Sequence, residues 1–225
     1  MIKLAPLLAA LSLAACVSSP DVASLPPTQE AFWDALQSHC GMAYRGQLAS
    51  SDSRDSDFRG RAMIAHWAEC SDTRTAIAFH VQAASSSSEA VGQTGNWDRT
   101  RTWIISRRYI ENAAQAVPIG LELKHDHRHE DGEPDTVTFY GGLTQDKGSP
   151  RAQDFPVDGY SIALFGDNSL GASLTNVWRV EVDPVDTVNA RFAYQLTRRN
   201  DPTRLFRVEF DASEPVTPPP PAWGW

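Results

Sequence analysis

The sequence predicts an all-β fold, an antiparallel barrel of about ten short strands preceded by one helix. Two observations carry this. From Gly41 onward apolar residues alternate with polar ones, so side chains at every second position share a face. The alternating runs are short and turn residues such as Asp131-Gly132 and Asp183-Pro184 punctuate them. A sheet of that many strands tends to close on itself, because open edges invite aggregation.

The elements follow in order. Residues 28–40, TQEAFWDALQSHC, read as a short helix capped by Thr28, with Phe32, Trp33 and Leu36 on one face. Such a helix would plug or abut one mouth of the barrel. Strands are expected at 42–49, 60–69, 73–82, 101–108, 118–129, 136–143, 159–165, 176–183, 191–198 and 204–211. Ile77, Phe79 and Val81 share a face, as do Trp178, Val180 and Val182, then Phe192, Tyr194 and Leu196, then Phe206, Val208 and Phe210. No segment after the first helix shows a helical stripe of useful length. This architecture is similar to the lipocalin-like barrels, a likeness of fold that carries no activity. Two loops stand out: the serine-rich stretch 83–98 and the glycine-bearing 166–176. The tail 213–225 holds a polyproline run, which favours an extended segment, and ends in Trp223 and Trp225. Docking of those indoles on the barrel wall competes with a role in binding a partner.

The chain of 225 residues suits a single domain with flanking segments. Its formal charge is −8, which fits neither a nucleic-acid nor an anionic-membrane surface. The first residues combine a short positive start with an apolar run too short to span a bilayer. They end in Leu13-Ala14-Ala15-Cys16, which resembles the bacterial lipobox. The resemblance implies that 1–15 is a signal peptide and that Cys16 becomes the lipidated residue holding the protein to a membrane. Val17 rather than Asp then points to the outer membrane of a Gram-negative cell. Residues 16–27 read as a tether, 28–212 as the barrel and 213–225 as the tail. An exported compartment permits a Cys40–Cys70 disulfide. A hairpin centred near residue 55 would set Tyr44 opposite His66 and bring the cysteines together.

Candidate chemistry concentrates in LELKHDHRHEDGEPD, residues 121–135. Alternation places Ile119, Leu121, Leu123, His125, His127 and His129 on the inner face, while the charged even positions face solvent. Alternate side chains along a strand are about 6.6–6.8 Å apart, so His125 and His127 can converge on one ion. His129 is about 13 Å from His125 and cannot join them readily. A metal site, with zinc or another transition metal as occupant, would need a further ligand from a neighbouring strand. His66 and His80 are the candidates, with Glu69 and Tyr140 behind them. A haem iron needs one histidine and an apolar cavity. The segment His127-Arg-His129 with Glu133 resembles the start of the cupin metal motif, but its glycines are out of register and no later histidine exists.

The nucleophile elbow of serine hydrolases, the phosphate-binding loop, the dinucleotide fingerprint and the H-E-x-x-H pair are all missing from the sequence. More broadly, Phe32-Trp33, Cys40-Gly41, Ala43-Tyr44, the segment 123–132 and the end 223–225 resemble a set of uncharacterised secreted bacterial proteins. That resemblance implies export and no particular activity. The expectation is therefore a lipid-anchored envelope protein of non-catalytic type, binding a small ligand or a metal at a histidine-lined mouth, with the membrane as its partner through Cys16. The alternatives are a metal-dependent enzyme using His125 and His127, and an envelope interaction protein.

Overall fold

A computed structural model describes residues 24–83, 96–111 and 116–225. The segment expected to be a signal peptide, the expected lipid-attachment residue Cys16, most of the expected tether and most of the serine-rich loop lie outside the described residues. The described chain forms ten strands: β1 Ala43–Leu48, β2 Met63–Cys70, β3 Arg74–Gln82, β4 Trp97–Glu111, β5 Ala116–His127, β6 Tyr140–Leu143, β7 Ala152–Pro156, β8 Asn176–Val182, β9 Arg191–Arg198 and β10 Asp201–Val216. Their order is β6-β5-β4-β3-β2-β1-β10-β9-β8-β7, with every neighbour antiparallel. This is a nearly closed barrel, as the alternation predicts.

The remaining seam runs between β6 and β7, where glycine lets the backbones approach. A Cβ on Gly142 would lie 1.8 Å from the Pro156 carbonyl oxygen, so only glycine fits. Ser161 stitches the seam, with its Oγ accepting from Gly141 N–H at 2.7 Å and donating to Gly141 O at 3.1 Å. Ser161 belongs to α2, Gly159–Asp167, which overturns the strand expected at 159–165. The apolar run Ile162–Phe165 fits either period, and local capping decides the outcome. The Asp158 carboxylate accepts from Ser161 N–H at 2.8 Å, and Ser161 and Phe165, one helical turn apart, are the residues this helix buries. The strand missing from the sequence reading is β7.

At the opposite end α1, Pro27–Gln37, closes the barrel. Phe32, Trp33 and Leu36 are buried as their spacing predicts, each worth about 1.5–3 kcal/mol of burial. Thr28 does not cap this helix. Pro26 and Pro27 start it, and Thr28 Oγ1 instead donates to Lys147 O at 2.5 Å. Gln29 reaches Thr144 at 2.9 Å and Gln37 reaches Thr75 at 2.7 Å, tying the helix to the rim. His39 is wedged between the Tyr44 hydroxyl and the Asp183 carbonyl, each at 2.7 Å.

Cys40 and Cys70 form the expected disulfide, with Cα atoms 6.1 Å apart. The hairpin that joins them also forms, but one residue out of the expected register. Ala43 faces His66, and Tyr44 faces Ala65. One residue of slip exchanges the two faces. Tyr44 enters the core and His66 does not.

The tail docks on the outer wall. Trp223 N–H donates to Arg99 O at 3.0 Å, and Trp225 Nε1–H donates to the Asp126 carboxylate at 3.0 Å. Asp126 stands on the outer face, as expected, yet its side chain is fully covered because Trp225 and Arg128 enclose it.

Candidate functional site

The end of the barrel away from α1 holds a cavity of about 270 Å³. The carboxy-terminal ends of β5 and β9, the amino-terminal ends of β4, β8 and β10, and α2 supply its walls. The kinked 3-10 segment Ser53–Phe58, between β1 and β2, adds Asp55 and Phe58.

The floor is a set of fixed rings. Trp103 lies flat on Tyr194 at 4.4 Å between centroids and flat on Phe79 at 4.6 Å. His125 lies flat on Tyr140 at 4.6 Å. Hydrogen bonds lock these rings further. His125 Nδ1 is 3.0 Å from Tyr140 O and its Nε2 is 2.7 Å from the Tyr194 hydroxyl. A carbonyl only accepts, so Nδ1 carries the proton and Nε2 accepts from Tyr194. The Tyr140 hydroxyl meets His127 Nε2 at 3.0 Å.

Burial holds both histidines neutral. It pushes His125 down to about 3, and His127, with the Arg101 charge adding to the effect, down to about 4. Tyr140 is pushed up to about 12 by the same desolvation, and Tyr194 is also raised.

Of the residues expected to form a metal site, only His125, His127 and Tyr140 line the cavity. His129 does not join them. β5 ends at His127, and His129 sits exposed at the turn, 4.0 Å from Asp135. His66 and His80 do not complete the site either. On β2 the inward residues are Ala65 and Trp67, and on β3 they are Ile77, Phe79 and Val81. Alternation then puts His66 and His80 on the outer face, where His80 lies edge-on to Trp97 at 6.5 Å. Glu69 pairs with Arg74 on the surface. Among the described residues no three metal-ligating side chains of the His, Cys, Asp and Glu types converge. Both nitrogens of His125 are already engaged, so His125 has no free nitrogen to offer a zinc ion or a haem iron.

The sequence reading missed the charged members of this site. Arg101, Arg198 and Arg204 all line the cavity. Arg204 is held by Asp55 through two bonds of 2.6 and 2.8 Å, and by Asp52 at 3.0 Å. Arg101 is held by Asp98 at 2.6 Å. Arg198 has a neutral partner, donating from Nε to Asn176 Oδ1 at 3.0 Å. The signal was present in the alternation. Extending Phe192, Tyr194, Leu196 by one step reaches Arg198, and stepping back from Phe206 reaches Arg204.

No protein-family model matches the chain, no curated protein matches it, and no solved structure matches it. The reading of function therefore rests on the geometry of this cavity.

Proposed function

We propose that the protein is a lipid-anchored, non-catalytic binding protein of the cell envelope, whose barrel mouth takes one small ligand. The observation that supports this reading most is the cavity of about 270 Å³, set in a barrel whose other end is stoppered by α1. That volume is near the lower end of ligand pockets, about 300–1,000 Å³. Its walls combine flat aromatic surfaces with a few polar groups, the usual makeup of a small-molecule site. The rings are fixed before any ligand arrives, which reduces the ordering cost of binding. The histidines favour binding over proton transfer, because His125 spends both nitrogens inside the protein and stays neutral.

The anchor half of the reading rests on Leu13-Ala14-Ala15-Cys16. Cys16→Ser should move the protein from the membrane to the soluble fraction, and mass spectrometry of the wild-type amino-terminal peptide should find acyl chains. A free, unacylated amino terminus on a membrane-free protein would remove the anchor.

The cavity half is tested by calorimetric titration of the full chain, purified in detergent, with a panel of small aromatic and aliphatic compounds. Saturable binding is expected, and Leu196→Trp, which fills the cavity, should abolish it. Binding unchanged in that variant would place the ligand elsewhere.

A further inference from the structure

We propose that the ligand of this cavity is a small aromatic carboxylate, and that Arg198 is the residue that receives its charge. The inference rests on the cavity reading above and adds the chemical class. Three arginine side chains enter the mouth. Two of them are neutralised by the protein itself, Arg204 by Asp55 and Asp52, and Arg101 by Asp98. Arg198 is bonded to an uncharged amide.

The acid nearest in the chain pairing is Asp201, directly across the β9–β10 ladder. Its carboxylate is turned away, taking bonds from Arg54 at 2.7 Å and from Thr203 Oγ1 at 2.6 Å. Asp52 is likewise occupied by Arg54 and Arg204. Loss of water and the neighbouring Arg204 and Arg54 charges act against the Arg198 cation and outweigh the opposing pull of Asp201 and Asp52. A partly buried guanidinium in that position gains most from an arriving anion, and its planar fork suits a carboxylate.

The other end of the barrel shows the same arrangement completed. There the inward-facing Arg107 meets the Glu30 carboxylate at 2.6 Å and lies 5.1 Å over the ring of Trp33. Helix α1 thus supplies both a ring and a carboxylate to an arginine. At the open end the receiving surfaces are Trp178, Tyr140 and Arg198, and a ring bearing a carboxylate would satisfy them in one molecule.

The test uses an isosteric pair, 2-naphthoate and 2-naphthamide, titrated by calorimetry into the full chain in detergent. A charged hydrogen bond of about 1.5–3 kcal/mol makes the naphthoate about ten- to hundredfold tighter than the amide. In Arg198→Gln, whose amide can still donate to Asn176, that preference should fall to near unity while amide binding is retained. Arg198→Lys should keep part of the preference. Equal affinities for the two compounds in the wild type would overturn the carboxylate inference and leave the cavity reading intact. A preference that survives in Arg198→Gln would overturn the role of Arg198. Binding of neither compound would overturn the aromatic-carboxylate class, and the cavity reading would fall with it only if the wider panel also gave nothing. If Arg198→Gln does not fold by circular dichroism, the wild type still decides. The Arg198 side-chain N–H resonance should shift with naphthoate and stay in place with naphthamide, and an unmoved resonance at saturation would overturn the assignment.

Discussion

The two ends of this barrel are built from the same ten strands, yet they meet opposite fates. At one end the chain fills its own opening. Helix α1 inserts Phe32, Trp33 and Leu36, Glu30 neutralises Arg107, and the Cys40–Cys70 disulfide fastens the helix exit to β2. At the other end the aromatic surfaces and the arginines are in place, but among the described residues no helix plugs the space and a cavity remains. An inward arginine in a barrel needs a counter-charge. The plugged end finds one within the chain, and at the open end Arg198 has no ion-pair partner among the described residues.

This contrast can be broken by experiment, starting with acid. Burial lowers the proton affinity of five of the six histidines, His39, His66, His80, His125 and His127, so their neutral forms belong to the folded state. A lowered folded pKa means that the unfolded chain takes up protons first. The stabilisation is complete above the ordinary histidine value of 6.5 and is lost as pH falls toward the folded values of about 3 to 4. Moving from pH 7 to pH 5 should cost about 2 kcal/mol for each fully buried histidine, several kcal/mol in all. Urea unfolding at the two pH values measures it. Hydrogen exchange sharpens the comparison, because β5 at the open end should lose protection in acid before α1 does. Simultaneous loss at both ends would mean that the two ends are not energetically distinct.

The next largest effect belongs to the plugged end. Removing the disulfide with Cys40→Ser and Cys70→Ser, a link across 30 residues, should cost about 3–4 kcal/mol on the chain-entropy account. Ligand affinity at the open end should be unchanged below the new melting temperature. Glu30→Gln follows, at about 1–3 kcal/mol, because it leaves the partly buried Arg107 without its charge partner. The mirror experiment at the open end is Arg198→Gln, and it should change stability by less than about 0.5 kcal/mol, since no ion pair among the described residues is lost. If Arg198→Gln destabilises as much as Glu30→Gln, Arg198 is a structural residue and the contrast fails.

Most of the fold was legible in the sequence because strand alternation is a local signal. Nine of the ten strands can be read from runs such as Trp178, Val180, Val182, and the buried helix face from Phe32, Trp33 and Leu36. Helix α2 is hard to read because Ile162–Phe165 is apolar throughout and carries no period; the Asp158 cap that decides it is local, three residues before its Ser161 partner, whereas the glycine seam that seats the helix joins distant segments. The site was only half legible. Inward placement of His125 and His127 followed from alternation, but the strand end that frees His129 and the register that turns His66 outward depend on pairing. The histidines drew attention because they cluster in sequence. The arginines that distinguish the open end are scattered over β4, β9 and β10, and only the closed barrel gathers them.

The most direct test of the account is a crystal structure of the protein grown with 2-naphthoate. The account predicts the naphthalene ring inside the open-end cavity against Trp178 and Tyr140, with its carboxylate at hydrogen-bond distance, about 2.7–2.9 Å, from the Arg198 guanidinium. A naphthoate bound outside the barrel, or one inside whose carboxylate points to solvent while Arg198 keeps only Asn176, would contradict it.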